Sequence, residues 1–320
     1  LVLSAVSDNP SLIADPAVSY SSPDSTASLT FTPAAGAYGS AQITVRVTDD
    51  GEPASYTEKT FNVTVNAVND APVNAVPAAQ TIDEDQALVF SAANSNAISV
   101  SDSDAGVNPL QVTLSADHGS ISLAGELTNL EVSGQATHSV TVSGAQLDIN
   151  AALNGLTYQP DENYNGSDSL TILTDDQGFT GGGALTDSDS VSITLNAVND
   201  APSFTQGSDI TVLEDAGAQT RLAWATDFST GALDESAQTL DLQISTDNDN
   251  LFQVLPAIDM GSGDLTFTPA ADANGSATVT VTLTDNGGGD DTSTTTFTVT
   301  VTAVNDAPSF TKGSDQSIFE

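Results

Sequence analysis

The sequence predicts an all-β protein built as a tandem array of two-sheet sandwich domains, and three observations predict it. The hexapeptide Ala-Val-Asn-Asp-Ala-Pro stands at positions 67–72, 197–202 and 303–308, each time directly after alternating Thr or Ser and apolar residues. A fixed phrase returning at strand ends marks one folded unit strung head to tail. The spacings, about 130 and about 106 residues, are too long for a solenoid turn and fit a small autonomous β domain. Period-2 alternation dominates, and no long helical periodicity competes with it.

The joints divide the chain into a partial domain at 1–70, complete domains at 71–200 and 201–306, and the start of another repeat at 307–320. Residues 1–13 align with 240–252, so Leu1 is expected in a mid-domain strand, the preceding strands of that domain are expected to be missing, and the 320 residues to be a stretch of a longer protein. In the first piece, 42–47 and 61–65 alternate as half-buried strands do. In the second, 169–173 and 191–195 repeat the pattern, and 145–153, with Leu147, Ile149 and Leu153, is the one helical candidate. In the third, 277–283 puts Val279, Val281 and Leu283 on one face, and 297–301 follows suit. Leu222, Trp224 and Thr226 are expected on one face, with Trp224 packed in the core. The phrases ending in Pro33, Pro160 and Pro269 each lead through a loop to Gly39, Gly166 and Gly275, where proline stops a ladder and glycine permits the turn. About seven strands per unit imply a sandwich.

Composition excludes several functions. Acidic residues number 43 against 4 basic ones, the formal net charge is −39, and cysteine is absent. Binding nucleic acid or anionic lipid needs Lys and Arg to neutralise phosphate, so neither is an expected partner. No thiolate centre can form, and two isolated histidines, His118 and His138, argue against zinc. No run of apolar residues is long enough to span a membrane, so no insertion is expected in this stretch. An acidic, lysine-poor, cysteine-free β array fits an extracellular, secreted or bacterial surface protein.

Aspartate gathers beside Asn and Gly in turn-like clusters at the domain ends. Calcium takes roughly six to eight oxygens at about 2.3–2.6 Å, from carboxylates, Asn and backbone carbonyls converging from several loops. The candidates are the linker pairs Asn69-Asp70, Asn199-Asp200 and Asn305-Asp306, and the pairs Glu84-Asp85 and Glu214-Asp215. To these add the loop carrying Asp102 and Asp104, and the strand-end residues Asp49-Asp50, Asp175-Asp176 and Asp285. Asp and Asn also favour plain turns. Several carboxylates forced together repel, however, by about 1 kcal/mol per pair at 4 Å in bulk water and about four times that at an effective dielectric near 20. A cation would turn that repulsion into coordination and stiffen the linker.

The strings at 67–72, around Glu84 and Glu214, at 99–108 (SVSDSDAGVN) and at 47–53 (VTDDGEP) resemble the linker, Glu, DxDxGxN and AxDxG motifs of cadherin repeats. More closely, 202–220 and 265–288 resemble the tandem cadherin-like/Ig-like repeats of large bacterial secreted proteins and surface adhesins. The resemblance covers essentially the whole chain and implies Greek-key β-sandwiches with calcium between them. By it, one junction would draw on Asn69, Asp70, Asp102, Asp104 and Asp175. A second would draw on Glu84, Asp161 or Glu162, Asn199 and Asp200, with Asp227 and Asp285. The last would use Glu214, Asp272, Asn305 and Asp306. Two departures stand out. Pro33-Ala34-Ala35 replaces the family's acidic triplet in the first piece, which predicts fewer or weaker ions there. In the third unit Asp227-Phe-Ser229 carries one acid where two are expected, with Asp234 or Glu235 as possible substitutes.

The expected role is therefore non-catalytic: a calcium-rigidified extension region of a bacterial adhesin, supporting surface attachment or biofilm formation. Its partners would be neighbouring repeats, other copies or cell-surface ligands. The alternatives are a carbohydrate- or partner-binding module of a secreted multidomain enzyme, which grouped exposed aromatics would favour, and a filament subunit joined by strand exchange. No Ser/His/Asp grouping has the neighbours a hydrolase needs. The glycine runs at 181–183 and 287–289 read as hairpin tips, and the Asn-Gly-Ser sites at 165–167 and 274–276 as strand-start turns.

Overall fold

The computed structural model describes residues 1–289 and 291–318. They form two compact units, 1–196 and 197–320. The first unit contains two separate hydrophobic cores.

In the first of these, Val2–Ser7, Gly39–Thr48 and Tyr56–Val65 form an antiparallel sheet, and Ala17–Ser19 pairs with Ser28–Thr30. Alternation along the long strand turns Ala41 and Ile43 inward against Ala5, Leu12 and Ile13. The second core lies between two sheets. The larger has the order Glu131–Ser133, Ser139–Gly144, Leu110–Ser115, Gly166–Asp175, Thr186–Asn196, Gln80–Asp83; the smaller is Gly119–Ser122, Leu156–Pro160, Leu88–Phe90. Phe90, Leu110, Val112, Leu114, Ile121, Leu156, Tyr158, Leu170 and Ile172 fill the space between. Each such side chain contributes about 1.5–3 kcal/mol when fully buried.

The 197–320 unit repeats this plan. Ile210–Leu213, Thr292–Thr302, Gly275–Thr284 and Asp241–Thr246 make one sheet; Gln219–Arg221, Leu265–Pro269 and Phe252–Ile258 the other. Val279, Val281 and Leu283 are fully buried, as alternation predicts. Beyond Thr302 the described residues form no regular element. The protein is thus all-β, with sandwiches of Greek-key type recurring along the chain.

One pairing positions the candidate sites. The early strand Gln80–Asp83 runs parallel to the last strand of its sandwich, Thr186–Asn196, and Ile210–Leu213 runs parallel to Thr292–Thr302 in the same way. The ladder continues one residue further, where Glu84 N–H donates to the Asn196 carbonyl and Glu214 N–H to that of Thr302, both at 2.9 Å. Each glutamate is thereby delivered to the point where the chain leaves its sandwich.

The expected helix forms at Gln146–Leu153; it buries Ile149, Ala152 and Leu153 and leaves Leu147 exposed. The inward stripe follows the i, i+3, i+4 rule from Ile149, which excludes position 147. Trp224 is buried, donating its indole N–H to the Ser208 carbonyl at 3.0 Å and packing on Phe297. Leu222 does not share its face: a turn at 222–223, with Ala223 at φ 47°, breaks the strand and turns Leu222 to solvent.

Candidate metal centres

At the linker within the first unit, the helix and a strand end hold acidic loops around Asn69 and Asp70. Asn150 on the helix accepts from Val100 N–H and donates to its carbonyl, both at 2.8 Å, extending the edge that Ser99–Ser101 presents. Gln146 Oε1 accepts the Asp102 N–H at 2.9 Å. The next turn is closed by Asp102 Oδ1, which accepts the N–H groups of Asp104 and Ala105 at 3.1 Å. Asp70 joins this loop by accepting from the Ser103 hydroxyl at 2.9 Å and donating its N–H to Asp104 Oδ2 at 3.4 Å.

Two carboxylate oxygens there, Asp102 Oδ2 and Asp104 Oδ1, are buried with no hydrogen-bond donor. Burial, and then the side chain of Asp104, push the Asp102 carboxyl above the ordinary aspartate range. A buried carboxylate oxygen without a donor is costly, and its natural complement is a hard cation. The donor set therefore fits calcium: all oxygen, with carboxylates from the linker and from the loop.

The strand-end acid at this linker is Asp176, where the sequence pointed to Asp175. Asp176 is buried; it accepts from the Asn69 amide at 2.6 Å and from the N–H groups of Gly178 and Leu185 at 2.8 and 2.9 Å. Asp175 caps the N–H of Gln177 at 2.7 Å. Strand parity decides between them. Asp168, Leu170, Ile172 and Thr174 face inward, so position 176 continues that face and 175 does not. On the far side of the linker a cleft of about 360 Å³ is lined by Pro33, Ala34, Gly36, Tyr38, Val68, Asp70 and Asp104, among others. Its upstream wall carries no carboxylate.

The end of the second sandwich is built around Glu84 and Asp85. Glu84 is buried and accepts from the Asn165 amide at 3.4 Å; Asp85, at φ 61°, accepts the N–H of Asn163 at 3.0 Å. The 197–320 unit has the same arrangement. Glu214 is buried and accepts from Asn274 at 3.2 Å and from Val304 N–H at 2.6 Å, while Asp215, at φ 63°, accepts the N–H of Asp272 at 3.4 Å. Asp215, Asp272 and Asp306 bring carboxylate oxygens within 4.8 Å of one another. Loss of solvation, then the charges of Asp215, Asp272 and Glu214, raise the Asp306 carboxyl. Asn305 donates to the Asp306 carbonyl at 3.3 Å.

This comparison moves one assignment. Asp272 matches Asn163, and both take the left-handed conformation, at φ 57° and 56°; Gly36, at φ 68°, holds the place in the first sandwich. Asp161 stands two residues earlier and pairs through Oδ1 with His138 Nε2 at 3.1 Å. Asn165 and Asn274, read from the sequence as turn residues, are the donors that orient the two buried glutamates. Their recurrence one residue before a strand in both sandwiches was the signal.

At the start of the 197–320 unit, Asn199 donates to both oxygens of buried Asp285 at 3.2 and 3.4 Å and to the Asp200 carbonyl at 3.2 Å. Gln238 Nε2 donates to Asn199 Oδ1 at 2.8 Å, and the Asp200 N–H donates to buried Glu235 at 2.8 Å. Asp227 is not part of this group. It is exposed, at φ 56°, and accepts from the Thr226 hydroxyl at 2.9 Å. Glu235 takes the acidic place because the 3-10 turn Leu233–Glu235 folds it back under the linker. The glycine runs also meet the linkers: a Cβ at Gly181 would strike the Ala67 carbonyl, and one at Gly287 the Asn199 side chain.

No protein-family model and no curated protein matches the chain. Among solved structures it is similar to mouse cadherin-23 EC22-24, at 19% identity over 94% of this chain and 86% of that one, with a TM-score of 0.33. The human desmocollin-1 ectodomain gives 16% identity over 84% and 48%, with a TM-score of 0.37. An endo-fucoidan hydrolase of glycoside hydrolase family 107 gives 16% identity over 95% and 39%, with a TM-score of 0.24.

Proposed function

We propose that the chain is a non-catalytic extension region of an extracellular adhesin of bacterial type, divided at 70/71, 200/201 and 306/307, whose linkers are stiffened by calcium. The observation that carries this reading is the pair of donorless carboxylate oxygens of Asp102 and Asp104 beside the linker residue Asp70. The three carboxylates of Asp215, Asp272 and Asp306 give it a second footing.

Asn69, Asp70, Asp102, Asp104 and Asp176 would hold the ion at the first linker. Glu214, Asp215, Asp272, Asn305 and Asp306 would do so at the last, with Glu84 and Asp85 in the matching place of the second sandwich. Calcium supplies positive charge that offsets the crowded carboxylates and ties linker to loop. The chain's own part is to aim the oxygens. Gln146 and Asn150 fix the Asp102 loop, Asn165 and Asn274 fix the glutamates, and the parallel strands place those glutamates at the exit. The single tryptophan is buried, which removes the aromatic best suited to a sugar-binding face.

The test is small-angle scattering of the chain in calcium and in chelator, with calorimetry to count ions. The reading expects several ions per chain and a larger, stiffer particle in calcium. Identical scattering in the two conditions refutes linker stiffening.

A further inference from the structure

The two Asn-Asp linkers at 69–70 and 199–200 each tie their Asn to a buried strand-end aspartate, Asn69 to Asp176 at 2.6 Å and Asn199 to Asp285 at 3.2 Å, but the acidic loop beside each linker is satisfied differently. At the first, the loop facing the linker leaves two charged oxygens without donors, Asp102 Oδ2 and Asp104 Oδ1, and its link to the Asp70 backbone is long, at 3.4 Å. At the second, protein donors meet the acidic residue. Glu235 Oε1 accepts from Asp200 N–H at 2.8 Å and from Gln238 at 3.3 Å, and Glu235 Oε2 accepts from Ala232 N–H at 3.0 Å.

Gln238 also donates to Asn199 Oδ1 at 2.8 Å, and Asn199 in turn donates to Asp285, whose Oδ1 accepts the N–H of Gly287 at 2.9 Å. The linker is thus gripped by a closed chain of hydrogen bonds through Asp200, Glu235, Gln238, Asn199 and Asp285. Among the described residues, the buried donorless atom of this group is Gln238 Oε1, a neutral amide oxygen, which costs far less to leave dry than a carboxylate. Gly231 and Gly287 make the closeness feasible, since a Cβ at either would overlap Glu235 or Asn199.

We infer that linker 197–200 is locked onto its sandwich by protein donors alone, whereas linker 67–70, tied by Asn69 to Asp176, is held tightly against the Asp102–Asp104 loop only when a divalent cation satisfies those two carboxylates. The second half of this inference rests on the calcium reading above; the first half does not. Removing the cation would then loosen linker 67–70 from its own sandwich and leave linker 197–200 seated on its own, so that the two linkers respond to calcium unequally. Gln238 is the positioning residue of the cation-independent clasp.

Hydrogen exchange of the whole chain, read by mass spectrometry in calcium and in chelator, tests this. Peptides covering 197–203 and 230–238 should be equally protected in both conditions, and those covering 67–72 and 101–106 more strongly protected in calcium than in chelator. Gln238→Ala should speed exchange around Asp200 about five-fold in either condition, the loss expected for one hydrogen bond, and Asn199→Ala should do the same if the first variant folds poorly. Free exchange at 197–203 in chelator overturns the inference. So does equal protection of 67–72 in both conditions. Calorimetry on the same samples assigns that second failure: bound calcium without added protection counts against the inference alone, and no bound calcium counts against the calcium reading itself.

Discussion

Replacing Asp104 by Asn separates a metal ligand from a turn residue, because the sign of its effect inverts with calcium. The backbone of Asp104 is held independently of its carboxylate: its N–H donates to Asp102 and its carbonyl accepts from Thr180 at 3.0 Å. Asn preserves the shape and removes one negative charge facing Asp102. In chelator this relieves like-charge repulsion of about 1 kcal/mol at the solvent-like end of the dielectric range, which suits a half-buried loop. For a unit of this size that amounts to a rise of about 2–4 °C in Tm. In calcium the balance reverses. An ion at about one hundred times its Kd stabilises the native state by about 2.7 kcal/mol, and a ten-fold weaker site gives up about 1.4 kcal/mol of that. The variant should therefore be more stable than the parent in chelator and gain distinctly less from calcium. Differential scanning calorimetry in both conditions reads the two shifts. Equal destabilisation in both would show that Asp104 is an ordinary turn residue and would remove the main support for the metal centre.

Asp272→Asn should reduce calcium binding in titration calorimetry, since it removes one of three clustered carboxylates, while Asp227→Asn should leave the isotherm unchanged. Gly287→Ala should destabilise the 197–320 unit by roughly 1–3 kcal/mol through overlap with Asn199, and Gly183→Ala, which faces open space, should be close to neutral by denaturant titration. Buried Asp168 supplies a pH prediction. Burial raises its carboxyl, but the Tyr158 hydroxyl at 2.7 Å and the N–H groups of Ser169, His118 and Asp117 outweigh this and hold it below the ordinary aspartate range. A depressed folded pKa contributes stability above the unfolded value and loses it as pH falls through the folded one. Tyr158→Phe should cost about 1.5–3 kcal/mol at neutral pH and move the acid-unfolding midpoint upward, as followed by circular dichroism.

Alternation made the strands legible because each has one wet and one dry face, and Val279, Val281 and Leu283 could be placed from spacing alone. The same parity would have selected Asp176 over Asp175, since 170, 172 and 174 already pointed inward; position at the strand end was read without its face. Asn163 was obscured because its match with Asp272 depends on a shared left-handed backbone, at a place the first sandwich fills with Gly36. Glu235 was named from the sequence only as a substitute beside Asp234, because strand parity could not choose it: a short 3-10 turn reverses the chain and carries it under the linker, leaving Asp227 outside. Asn165 and Asn274 were visible as a repeated pattern, but their bonds to Glu84 and Glu214 are long-range and could be found only by folding the chain.

The parallel ladders between entering and leaving strands bear on how a sandwich meets force. Because Gln80–Asp83 and Thr186–Asn196 run side by side in the same direction, a pull on the two ends of that sandwich would slide one strand along the other. All the backbone bonds of the ladder are then loaded together in shear, whereas hairpin partners pulled from one side would unzip bond by bond. Ile210–Leu213 against Thr292–Thr302 has the same geometry, so each complete sandwich carries its own mechanical clamp where the chain passes through it.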